Sequence, residues 1–452
     1  MLGLLCGATA LAGFLALSGC SSERSLQRLL QEATGIVRLP PGITEVRREL
    51  IVAGATDLEI VGSGDTVLKA TADFQGRAVL VIERGSRIRL RNFTIDGNRT
   101  AVERPAEMPP SSSPFLQHFA GNGIALSGSS DVLLSGVRFR EVAGLAILAN
   151  KVKKIQIEKV TIEDSGSRNG KGRNNTSGGI LFEEGTDDFA VRDSVFRRVL
   201  GNAVWTHSMF ESPRNYRGLV ANNQFEMIGR DAVQVGHANS VRVEGNTGRK
   251  IGYPPETVDI ENGGIPVGID TAGKVDESVY TKNRFEEING KCIDLDGFHD
   301  GEVSDNVCIN RGKAEDYPQG HFGLVMNNTN PQMQSQGITV RGNVFDGTKF
   351  GGIFVIGRNH RVINNKLRRI NLAKCNESAS TYGCAHFPNE PDLMQAGIYL
   401  GMRAERVSPA QDNLVEHNEV AGHRMRDRCV MSAPTVPANT NTVRNNICTD
   451  RE

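Results

Sequence analysis

Three aspartates, Asp270, Asp294 and Asp296, are the side chains in this sequence best suited by type and spacing to do chemistry. Two alternate across a leucine in Asp294-Leu295-Asp296, and the third ends Gly268-Ile269-Asp270, one repeat earlier. Exposed carboxylates held close together repel, so one keeps its proton near neutral pH while another stays ionised. An inverting glycosidase needs such a pair, with the carboxyls about 6.5–9.5 Å apart to leave room for water. His321, in Gln319-Gly320-His321-Phe322-Gly323, is the fourth candidate, to orient a carboxylate or touch a sugar.

Two recurrent strings specify what must hold these residues. The first is a small residue, an apolar residue, any residue, then usually another apolar one: Gly123-Ile124-Ala125-Leu126, Ala232-Val233-Gln234-Val235, Cys292-Ile293-Asp294-Leu295, Gly397-Ile398-Tyr399-Leu400. The second is Asn, any residue, then an apolar one, as in Asn223-Gln224-Phe225, Asn283-Arg284-Phe285 and Asn343-Val344-Phe345. Each unit takes about 23 residues where no loop is inserted, which predicts about 11–13 coils. Alternation with period two marks strands. Strands this short cannot bury a face alone and must stack on copies of themselves. The recurring Asn is expected to bond its counterparts in neighbouring coils, with the Phe stacking inside. The one good helix, Ser25 to Ala33, carries Leu26, Leu29 and Leu30 on one face and is expected to cap the open end.

The strand register assigns the outward positions. In the first string the residue between the two apolar ones faces out, as does the one after them. The middle column contains Trp205, Gln234, Asp270, Asp294 and Tyr399; the later column contains Glu183, His207, Asp296 and Asn327. With Lys291, His299 and Arg358 nearby, Glu183, Trp205, His207, Gln234, Asn327 and Tyr399 form the expected substrate-binding set, the two aromatics as flat platforms for sugar rings. Trp205 has an alternative role, packing beneath the 208–217 loop. Insertions at 98–121, 166–177, 250–265, 311–320 and 371–395 precede first strands, so they should wall one side of this face.

Lys+Arg and Asp+Glu are both 52 in the 452 residues, which indicates no general attraction to nucleic acid or anionic membrane. Residues 1–19 read as a targeting segment, 20–34 as linker and capping helix, and 35–452 as the repeat domain. Leu17-Ser18-Gly19-Cys20 resembles a bacterial lipobox, which implies lipidation of Cys20, export, and residence at the outer membrane, cell surface or periplasm. In an exported protein the remaining cysteines are expected as disulfides. Cys292 and Cys429 open strands while Cys308 and Cys448 end Asn-x-Cys triplets, which pairs Cys292 with Cys308 and Cys429 with Cys448, leaving Cys375–Cys384 to close a loop.

The capping helix, Gly35-Ile36-Val37-Arg38-Leu39-Pro40-Pro41-Gly42, Leu90-Arg91-Asn92-Phe93-Thr94-Ile95-Asp96-Gly97 and the recurring asparagines together resemble the pectate-lyase-like superfamily. The resemblance implies an all-β, single-stranded right-handed parallel β-helix with an N-terminal cap. One Asp on a coil, two on the next, then a histidine motif is similar to the polygalacturonase family, although the aspartates are separated by Leu295, Phe322 lengthens the histidine motif, and no Arg-Ile-Lys string occurs at 352–356. Three functions follow as expectations: a glycoside hydrolase without a cofactor; a lyase or C5 epimerase using Asp270, Asp294 and Asp296 as calcium ligands, with Lys291, His299, His207 or Arg358 acting on the C5 proton; or a noncatalytic glycan-binding or structural lipoprotein. The expected partner is a polysaccharide or oligosaccharide, with the membrane reached through the lipid alone; a trimer is compatible with the fold.

Overall fold

The computed structural model describes residues 14–15, 23–32, 34–107, 110, 112–260, 264–320, 322–330, 332–333, 335–375 and 383–450. The period-two strings become strands stacked in three parallel ladders, each coil contributing one strand to each ladder. The third ladder is a 14-stranded sheet; the first two merge into one 28-stranded sheet. They merge because Val233–Glu244 and Val267–Asp276 run through the corner that other coils turn with short loops. The third ladder begins at Ile43–Val46, a coil lying before the first repeated string.

The cap forms as Glu23–Gln31, with Leu26, Leu29 and Leu30 buried. It also satisfies the edge of the sheet: Gln27 donates to the Ile51 carbonyl at 3.0 Å and accepts from the Ile51 amide at 2.7 Å. Glu23 accepts from the Arg47 and Arg48 amides. Polar pairing of this kind blunts an edge that would otherwise invite another strand.

The asparagine ladder is continuous. Nδ2 to Oδ1 bonds of 2.8–3.0 Å run from Asn223 through Asn246, Asn283, Asn306, Asn343, Asn365 and Asn418 to Asn446. Each amide also donates to a backbone carbonyl, as Asn306 does to Tyr280 at 2.8 Å, so a buried polar row is fully paired. Asn246 belongs to the row although Gly248 stands where its string would carry an apolar residue. A Cβ on Gly248 would meet the Phe285 ring at 2.4 Å, so the gap is what admits that ring. Cys292–Cys308, Cys375–Cys384 and Cys429–Cys448 are bonded as expected.

Candidate active site

On the outer face of the first ladder, Trp205 pairs in register with Gln234, Gln234 with Asp270, Asp270 with Asp294, and Asp296 with Asn327. Stacked strands lie about 4.8 Å apart, and alternate residues on one strand about 6.7 Å apart, which sets the spacing of the three aspartates. Small residues at Gly236 and Ala272 clear the floor in front of Asp296. A groove of about 560 Å³ results, with Trp205, His207, Phe210 and His237 on one side and Asp296, Thr329 and Gln332 on the other. The His207 and His237 rings stack at 5.7 Å with a 6° interplanar angle, and burial first, then mutual repulsion, lowers His207 to about 4.

The carboxylates are not the exposed triangle that the strand register predicts. Asp270 is 9% and Asp294 6% exposed, because side chains and loops close over them, and only Asp296 opens onto the groove. Gln234 donates to Asp270 at 2.6 Å and is itself held by Asn202 at 2.7 Å. Lys291 forms an ion pair with one Asp294 oxygen; the other, Oδ1, is buried and has no hydrogen-bond partner among the described residues. Thr329 donates its amide to Asp296 at 2.7 Å.

Burial, reinforced by Asp231 and Asp294, holds the Asp270 carboxyl well above the usual range. Burial also raises Asp296 to about 6, with Asp294 adding to it and the Thr329 amide opposing. Burial alone would lower Lys291, but Asp294, Asp270 and Asp296 outweigh it and hold its ammonium firm. The ammonium thus supplies the positive charge that calcium would bring, and the donor set does not fit a calcium ion. Among the described residues no group of three or more His, Cys, Asp or Glu side chains has metal-binding geometry.

Several expected substrate contacts serve the scaffold instead. Trp205 is 4% exposed, packed under Phe115 of the 98–121 insertion with ring centroids 4.8 Å apart, so it is no open sugar platform. Glu183 is fully buried and accepts from the Phe115 and Leu116 amides at 2.7 and 2.9 Å, pinning that insertion to the coil. Tyr399 is 1% exposed and its phenol is raised by burial and then by Glu390, so it is no platform either. His299 and Arg358 lie round the corner, away from the aspartates. His321 and Cys20 fall outside the described residues.

Two neighbours escape the string-based reading. Asp231 is buried, accepts from the Val267 amide at 2.9 Å, and is raised to about 6, chiefly by burial. It precedes the small residue of its string, as Asn202 and Lys291 precede theirs, so the signal was a column of polar residues one position upstream. His237 follows its string and belongs to the groove wall.

Residues 77–268 match the family described as the right-handed β-helix region. No curated protein matches the chain. A DFA-IIIase from Arthrobacter chlorophenolicus is similar in structure, with TM-score 0.55 and 12% identity, over 95% of this chain and 97% of that one. PfbA, a surface adhesin of Streptococcus pneumoniae, gives 0.50 at 14% identity, over 77% and 86%. The GH136 lacto-N-biosidase of Eubacterium ramulus gives 0.51 at 12% identity over 89% of this chain, which spans 63% of that longer one. At such identities the likeness is one of fold.

Proposed function

We propose that this right-handed parallel β-helix is a glycan-acting enzyme, an inverting glycoside hydrolase. The carrying observation is Asp296, a carboxyl raised to about 6 that opens onto an aromatic-walled groove beside two further aspartates. Asp296 protonates the leaving glycosidic oxygen. Asp294 is the second carboxyl of the pair; its Oδ1 is unpartnered but closed off from the groove, so it must be uncovered as substrate binds before it accepts the proton of the attacking water. Lys291 keeps that second carboxylate charge-compensated, and next to it burial holds the Asp270 carboxyl above its ordinary range. His207 and His237 are neutral above their lowered titration ranges and offer apolar ring faces with polar edges, which suits a sugar.

Reducing-end release from a panel of plant, algal and bacterial polysaccharides tests this reading. New reducing ends without an ultraviolet-absorbing unsaturated product support a hydrolase; an unsaturated product identifies a lyase instead. Binding without turnover would favour an adhesin-like role, the reading favoured by the burial of Asp270 and Asp294. Export as a lipoprotein through Cys20 completes the proposal: a Cys20→Ala chain should leave the membrane fraction, and retention there contradicts the lipid anchor.

A further inference from the structure

A second row of polar side chains runs along the corner between the first and second ladders. Asp276 pairs in register with His299, and single bridges continue the row through Gln336 and Arg358 to Gln411. Successive members lie about 4.8 Å apart along the solenoid axis, close to the rise of one pyranose in an extended chain. The row begins with an oriented imidazole. Asp276 faces His299 Nδ1 at 3.2 Å and is anchored by Arg214 at 2.6 Å, while His299 Nε2 is buried without a hydrogen-bond partner among the described residues.

Beside this row lies a groove of about 390 Å³, and Arg358 is the one fixed charge among its described lining residues. Gln332, Gln336 and Gln411 line the same groove with carboxamides. Two other arginines, Arg214 and Arg341, are spent on ion pairs with Asp276 and Glu302. Arg358 is exposed and has no carboxylate partner among the described residues. A neighbouring groove of about 620 Å³ mixes Lys274 and Arg214 with Asp276, Glu277 and Asp300, and so has no clear preference of sign. Gln332 lines both of these grooves and the one in front of Asp296, so the three are contiguous.

We infer that the His299–Gln336–Arg358–Gln411 row is a remote subsite for an acidic sugar unit, its carboxylate or sulfate held by Arg358, within a glycan chain that continues into the Asp296 groove. This rests on the glycan-acting reading and adds the substrate's charge. A guanidinium presents two parallel donors to a planar oxyanion, and the carboxamides meet hydroxyls on the flanking units. Charge selection therefore comes from a residue far from the reacting carboxylates.

Titration calorimetry of the Asp296→Asn protein, which suppresses turnover, tests the inference with oligogalacturonates, chondroitin sulfate oligosaccharides, and neutral xylo- and cello-oligosaccharides. Acidic chains should bind more tightly than neutral ones, with affinity falling as salt rises. Adding Arg358→Gln should weaken the acidic ligands by about tenfold or more and leave any neutral affinity unchanged. The better of the uronate and sulfate arms identifies the anion. Equal affinity for neutral and acidic chains, or acidic binding untouched by Arg358→Gln, overturns the subsite while leaving a glycan enzyme in place. If no oligosaccharide binds in any arm, both the subsite and the glycan-acting reading fall.

Discussion

Phe115 packs on Trp205 with ring centroids 4.8 Å apart, so an insertion from one coil roofs the groove wall of another. The contact depends on Glu183, whose carboxylate receives the Phe115 and Leu116 amides and the Asn150 side chain. Trp205 is the only tryptophan in the chain, which makes it a reporter of this roof. Glu183→Ala should strand two backbone donors, cost about 1–3 kcal/mol for each buried group left unpaired, and shift tryptophan emission to the red. Unchanged emission would mean the insertion is held by other contacts.

Asp296→Asn should reduce turnover by about 10²–10⁴-fold while moving the thermal midpoint little, because an amide oxygen still accepts from Thr329. Reducing-end assays alongside circular dichroism melts separate the two effects. Activity within a few fold of the parent would remove Asp296 from the mechanism.

The pH profile follows from the same group. Burial raises Asp296 to about 6, and an acid catalyst must be protonated. The ratio kcat/KM should therefore fall as pH rises through about 6, approaching tenfold per unit. A rate that holds constant up to pH 8 would assign the proton donation elsewhere.

Stability should show the opposite of the usual carboxylate behaviour. Asp270 is raised well above the ordinary range, by burial first, and Asp231 to about 6. The folded chain thus binds protons that the unfolded chain releases. Their stabilising contribution is complete below the unfolded value of about 3.9 and is lost as pH rises through the native values. Asp270→Asn should accordingly raise the thermal midpoint at pH 7 relative to the parent, with little gain at pH 4. An equal effect at both pH values would contradict burial as the cause.

Asn306→Ala should break the interior ladder at its centre. It leaves the Asn283 backbone N–H without its acceptor, while Asn283 Nδ2 keeps the Val243 and Thr281 carbonyls, for an expected loss of about 1–3 kcal/mol. Chemical denaturation measures the loss; a change below about 0.5 kcal/mol would mean water replaces the ladder bond.

The sequence by itself determined the solenoid, its register and its staples. Short strands with period two can bury a face only by stacking, and parallel stacking without slippage puts Gln234, Asp270 and Asp294 in one column. The recurring asparagines were legible for the same reason, since equal positions in successive coils must become neighbours; Cys292–Cys308 and Cys429–Cys448 were legible because both pairs join the same two string positions. Burial of the outward face was decided only by the tertiary structure. Whether Trp205, Glu183, Tyr399 or Asp294 meets solvent depends on where insertions fold back, and those segments carry no repeat to fix their path. The same dependence sets the chemistry. Three aspartates in a row are a property of the strand register, but a raised carboxyl at Asp270 and one near 6 at Asp296 arise from how much water the surrounding structure excludes.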